Sequence, residues 1–120
     1  MNLTDLFINS DKLVDFKSGT TIFAEGSEGD CMYILMEGEV EIRVDNQLID
    51  VLKSGSIFGE MALIDSSPRS AAAIAASDCK LAVVDYDNFL FMIRQTPFFA
   101  LEVMRIMAGR LRQMNSMLLK

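Results

Sequence analysis

With 120 residues, 51% of them hydrophobic and 23% charged, the chain has the composition of one globular domain, residues 1–120, rather than of a disordered segment. It contains no histidine, which excludes Ser-His-Asp and Cys-His nucleophiles and any His-based zinc or iron centre, so an enzyme is not expected. The net charge of −6 argues against nucleic acid as a partner, because phosphate contacts need a basic face.

The first element is NLTDLFINSDKLVDF, short and amphipathic, with Leu3, Leu6 and Phe7 at helical spacing. It carries no charged and apolar leader pattern, and no apolar run in the chain is long enough to span a bilayer, so a cytoplasmic protein without membrane contact is expected. From Lys17 to Val84 the period changes. Short apolar runs alternate with turns such as KSG, EGSEGD, DNQ and the stretch from Asp65 to Arg69, the signature of a sandwich or barrel. Val40, Ile42 and Val44 alternate with Glu39, Glu41 and Arg43 as a strand with one wet face should. Asp45-Asn46 then predicts a tight hairpin, since both residues tolerate positive φ. Tyr33 to Met36 is apolar throughout and predicts a strand buried on both faces.

Cys31 and Cys79 lie far apart and form no CxxC, so two reduced, buried thiols are expected. Residues 1–60 carry 12 acidic and 4 basic side chains, whereas residues 61–120 carry 5 and 7. Such asymmetry can steer a partner, or it can be a solvated face.

Asp85 is a candidate N-cap before YDNFLFMIRQ, and Thr96-Pro97 joins a second N-cap to a proline at the first helical position. The final helix is expected to run to the end of the chain. Met104, Met107, Leu111, Met114 and Leu118 form an a/d seam along it, from which a homodimer is expected. The architecture is mainly β: an antiparallel β-roll of the jelly-roll, double-stranded β-helix kind over about 16–84. A short N-terminal helix precedes it, and two C-terminal helices follow over about 86–119.

The chemistry concentrates between Phe58 and Ala73. This segment reads FGEMALI, then a polar turn from Asp65 to Pro68 with two serines in it, then RSAAA. Within it one buried-looking carboxylate, Glu60, and one guanidinium, Arg69, stand among small and apolar residues. Charges are costly to bury unless paired with each other or given a ligand. Gly59 allows close backbone approach, and Glu60, Met61, Ala62, Leu63 and Ile64 can form one helical turn whose N–H groups face an anion. Arg69 adds a planar donor fork suited to phosphate, and Ser70 adds a hydroxyl. Ionised Glu60 only accepts, so it suits sugar hydroxyls. Together these describe a site for a ribose phosphate, with Ala62, Ala71, Ala72 and Ala73 leaving space for it.

This segment closely resembles the phosphate-binding cassette of the cyclic nucleotide-binding domain family, roughly F-G-E-L-A-L, a short turn, then P-R-x-A. The pattern G-x-x-I-F-x-x-G followed by Y-I-L-x-x-G-x-V-x-I is also present, as Gly19, Ile22, Phe23, Gly26, Tyr33, Ile34, Leu35, Gly38, Val40 and Ile42. The resemblance covers about Phe16 to Leu111.

It implies that Arg69 clamps the cyclic phosphate with Ser70 and the backbone of Ala62 and Leu63. Glu60 and the backbone of Gly59 would hold the ribose 2′-hydroxyl, and Ala71 matches the alanine of P-R-x-A. Met61 replaces the usual leucine, and Ala72 stands where many relatives have Thr or Ser. Ser70 looks like the bacterial cyclic-AMP type, so cyclic AMP is the leading ligand and cyclic GMP the alternative. By rough alignment the base would lie near Met114 and Asn115, and Asn115 is either an adenine contact or a solvent-facing residue. The family's DNA-binding, kinase and pore domains have no counterpart in this sequence, so a stand-alone sensor or a piece of a larger regulator is expected, acting on an unknown downstream protein. No cofactor is implied beyond the nucleotide ligand. The competing reading is a roll of the same kind that binds no nucleotide and acts through protein contacts or dimerisation.

Overall fold

Turns built on glycine, asparagine and serine cut the first 85 residues into eight short strands. The computed structural model describes residues 3–118. Helix α1, Leu3–Phe7, buries Leu3 and Phe7. The strands are β1 (Leu13–Phe16), β2 (Thr21–Phe23), β3 (Cys31–Glu37), β4 (Val40–Val44), β5 (Gln47–Leu52), β6 (Ile57–Phe58), β7 (Ala72–Ala75) and β8 (Cys79–Asp85). A one-turn helix α2, Met61–Ile64, lies between β6 and β7. Two four-stranded antiparallel sheets result, ordered β1-β8-β3-β6 and β2-β7-β4-β5. This is the expected mainly-β roll.

The longest strands carry the core. In β3, Met32, Ile34 and Leu35 are fully buried while Tyr33 and Met36 are half-buried, so burial on both faces is complete only in part of the expected run. Leu35, Val40, Leu52, Phe58, Ala73, Ala75, Cys79 and Leu81 form a cluster drawn from both sheets. A fully buried Leu or Val side chain contributes about 1.5–3 kcal/mol, so this cluster is what holds the sheets together. Both cysteines are free and buried, as expected.

Asp45 and Asn46 form the β4–β5 turn with φ of 50° and 63°, the left-handed conformation their side chains tolerate. The wet face of β4 is not bare: Glu41 and Arg43 lie half-buried and pair at 2.9 Å.

One boundary is corrected. The amphipathic pattern expected from Asn2 to Phe16 is helical only over Leu3–Phe7, within the described residues, and Leu13–Phe16 is a strand paired with β8 from Leu13↔Ala82 to Phe16↔Cys79. The roll therefore begins at residue 13 rather than about 16. Four residues cannot display a helical period, and cross-sheet pairing decides such a segment.

The chain divides into two compact units, residues 1–86 and 87–120. Helix α3, Tyr86–Gln95, apart from its first residue, and helix α4, Pro97–Leu118, supply the second. Pro97 takes the first position of α4, where its missing N–H costs nothing. Within this unit Phe89 and Phe99 meet edge to face with centroids 5.8 Å apart. The expected extension of α4 to residues 119–120 lies outside the described residues. No helix among the described residues is long and apolar enough to cross a membrane.

Candidate functional site

Arg69 is the centre of the site. It lies between α2 and β7, only 7% exposed, and its guanidinium turns into the roll. Its backbone is held from both sides by the β2–β3 loop: Arg69 N–H donates to Ser27 O at 2.8 Å, and Gly26 N–H donates to Arg69 O at 2.7 Å. The side chain is fixed as firmly. Nη1 donates to Gly59 O at 2.9 Å and Nη2 to Cys31 O at 2.8 Å. The Phe23 ring covers one face of the guanidinium, with Cζ 4.2 Å from the centroid, and Tyr33 stands at 6.0 Å. Phe23, Tyr33 and Phe58 pack as one aromatic group, with centroids 5.2 to 6.1 Å apart.

Two glycines make room for this arrangement. A Cβ on Gly59 would fall 2.5 Å from Nη1, and one on Gly29 would fall 2.3 Å from Cζ and Nε. Gly59 also holds φ +80°, which an L side chain resists. Its expected role is close approach to a ligand; in the structure the group that comes close is Arg69.

One donor is left over. Arg69 Nε is fully buried and is the one buried side-chain nitrogen or oxygen without a hydrogen-bond partner among the described residues. Such an atom in a native fold calls for an explanation, because burying an unsatisfied donor costs about 1–3 kcal/mol.

Glu60, 6% exposed, caps α2, and its carbonyl accepts Leu63 N–H at 3.0 Å and Ile64 N–H at 3.1 Å. The N–H groups at the head of a helix have no intrahelical acceptor, which leaves those of Met61 and Ala62 as the leading donors of the turn. Leu63 N–H, expected to help hold a phosphate, is already engaged with Glu60. Ala62 and Leu63 are buried, and Met61 is 46% exposed. Ser70 is exposed and Ala71 half-buried, both next to Arg69 in the chain. Ala73 is fully buried within the core cluster, so its small size serves sheet packing rather than open space. Asn115 is exposed on α4, in the second unit.

Tyr33 titrates abnormally. Burial raises its phenol well above the ordinary value of 10.0, and a hydrogen bond with the Cys31 thiol adds to the effect, while the Arg69 charge opposes it. The Cys31 sulfur lies 3.8 Å from Nη2.

Sequence reasoning does not place Phe23, Gly29, Cys31 and Tyr33 at the site, although Phe23 and Tyr33 stand in the motif. The available signal is a single hydroxyl-bearing aromatic, Tyr33, at the head of the apolar run to Met36. Among the described residues no three His, Cys, Asp or Glu side chains are grouped to hold a metal ion.

The chain is similar to known proteins in sequence and in fold. A model of the cyclic nucleotide-binding domain matches residues 13–96. The CRP-like cAMP-activated global transcriptional regulator of Mycobacterium tuberculosis is 33% identical over 108 residues, 86% of this chain and 48% of that protein. The cAMP-dependent protein kinase regulatory subunit of Eremothecium gossypii is 43% identical over 86 residues, 70% of this chain and 18% of that protein. The crystal structure of the Thermus thermophilus catabolite activator protein superposes with a TM-score of 0.83 at 30% identity, covering 95% of this chain and 56% of that one. The chain thus spans about half the length of the regulators it matches, and less of the kinase subunit.

Proposed function

We propose that this chain, which belongs to the cyclic nucleotide-binding domain family, is a cytoplasmic, non-catalytic sensor module that takes cyclic AMP at Arg69 and passes the event to α4. The observation that carries this reading is the buried Arg69 guanidinium with its unmatched Nε donor. A phosphate supplies the missing acceptor, and charge-assisted bonds to it are stronger than those Arg69 makes to neutral carbonyls. Glu60, buried next to the Gly59 that Arg69 bonds, takes the ribose hydroxyl, with Gly59, Ala62 and Ser70 completing the set. The two regulators named above for cAMP support the choice of base, as does Ser70 after the arginine.

Signal transmission requires a ligand that binds two arrangements with different affinity. Thr96 is the candidate hinge: its N–H closes α3 on Met92 O at 2.8 Å, and its carbonyl receives Phe99 N–H at 2.8 Å. The seam along α4 supports a homodimer. Met104, Leu111, Met114 and Leu118 are 57%, 61%, 60% and 80% exposed and Met107 between them is half-buried, which is an apolar stripe with the spacing of a helix pair. The net charge of −6 supports a partner other than nucleic acid.

The test is calorimetric titration of refolded protein with cyclic AMP and cyclic GMP beside Arg69→Ala. One-site binding that the variant loses establishes the sensor, and the preferred base follows from the same data. No heat from protein shown to be empty would favour the roll that works through protein contacts instead.

A further inference from the structure

We infer that Phe23 is a positioning residue for the phosphate clamp: its ring sets the plane of the Arg69 guanidinium and so the direction from which the fork meets a phosphate. This rests on the reading of Arg69 given above. The ring centroid lies 4.2 Å from Cζ, the distance of a stacked cation, and a guanidinium stripped of water on one face gains most from the negative face of an aromatic ring.

The fold aims this ring through its strand pairing. The β2–β7 ladder slips between Thr21 and Phe23, so that Thr21 pairs with Ile74 and Phe23 with Ala73. An irregularity of this kind redirects a side chain. The partner across the ladder is alanine, which does not compete for the space. Tyr33 and Phe58 flank the ring at 6.1 and 5.9 Å, and Tyr33 also stands 6.0 Å from Arg69 Cζ. Gly29 and Gly59 close the edges of the slot too tightly for any Cβ. The carbonyls of Cys31 and Gly59 end it. When a phosphate replaces those carbonyl bonds, the ring is the contact that keeps the fork in its plane. An aliphatic side chain of equal volume would fill the slot without setting that plane.

The test uses the whole chain with Phe23→Leu and Phe23→Tyr. The Arg69 Nε–H resonance of the ligand-free protein reads the stack directly, through the ring-current shift. Affinities for cyclic AMP and for its Sp and Rp phosphorothioates read the direction of the fork, because each analogue replaces a different phosphate oxygen. Phe23→Leu is expected to move the resonance downfield and weaken cyclic AMP roughly 3- to 30-fold, the factor a cation–π contact supplies. It should also narrow the Sp-to-Rp preference, and Phe23→Tyr should restore all three. A merely structural residue would lower both analogues equally and leave the preference intact, which overturns the inference, as does an unmoved resonance. If the resonance moves but the wild-type chain binds no nucleotide, Phe23 stands as the platform of Arg69 and the sensor reading falls. Should Phe23→Leu unfold, Phe23→Met, of similar volume, carries the same comparison.

Discussion

Arg69 Nη2 and the carbonyl oxygen of Cys31 lie 2.8 Å apart although 38 residues separate them, so the clamp is bonded to the first residue of β3. The same guanidinium holds Gly59 O at 2.9 Å. Only a planar fork reaches both carbonyls while stacked on a ring. Arg69→Lys retains the charge but not the fork. We expect it to weaken cyclic AMP by at least about tenfold and to cost roughly 1.5–3 kcal/mol of stability, the net value of a charged hydrogen bond. Titration and urea unfolding measure the two effects. A lysine variant with unchanged affinity would show that charge alone suffices.

Gly59→Ala separates backbone strain from collision. At φ +80° a Cβ costs about 1–2 kcal/mol, and here it also meets Nη1 at 2.5 Å. Gly26 has nearly the same φ, +81°, but open space where its Cβ would go. Gly59→Ala should therefore destabilise more than Gly26→Ala and also weaken nucleotide binding. Equal losses in denaturant unfolding would mean that Arg69 moves aside freely.

Tyr33 predicts a loss of stability in alkali. Burial, then the hydrogen bond with Cys31, hold its phenol above the ordinary value of 10.0. As pH rises past that value the unfolded chain gives up this proton before the folded chain does. Stability is then fully present below about pH 10 and declines above it. Tyr33→Phe should flatten that decline in urea unfolding between about pH 9 and 11. An identical slope in the variant would show that other groups cause it.

The α4 stripe predicts a dimer. Multi-angle light scattering of the wild-type chain should return twice the chain mass, and Leu111→Glu, at a site 61% exposed, should return one chain mass with nucleotide affinity retained. A wild-type monomer with and without cyclic AMP removes the proposed interface.

Local chemistry makes several elements readable in advance. The Asp45-Asn46 turn follows from two residues that accept positive φ, and α4 begins at a proline whose ring suits the first helical position. The strand at Leu13–Phe16 is not readable, because its identity comes from pairing with β8 about 65 residues later. The site divides in the same way. Gly59, Glu60 and Arg69 stand close together in one segment whose residue types state the chemistry. Phe23, Gly29, Cys31 and Tyr33 reach Arg69 only through folding, and no spacing rule connects them to it.

What the sequence determined by itself is the class of fold and, through its resemblance to a known cassette, the segment that carries Glu60 and Arg69, because alternation, turn chemistry and side-chain charge are local properties and a motif is contiguous. Tertiary structure alone decided how that residue is presented: stacked on Phe23, bonded to two carbonyls and left with one buried, unmatched N–H. Those contacts join strands and loops distant in the chain, and their geometry exists only once the two sheets have packed.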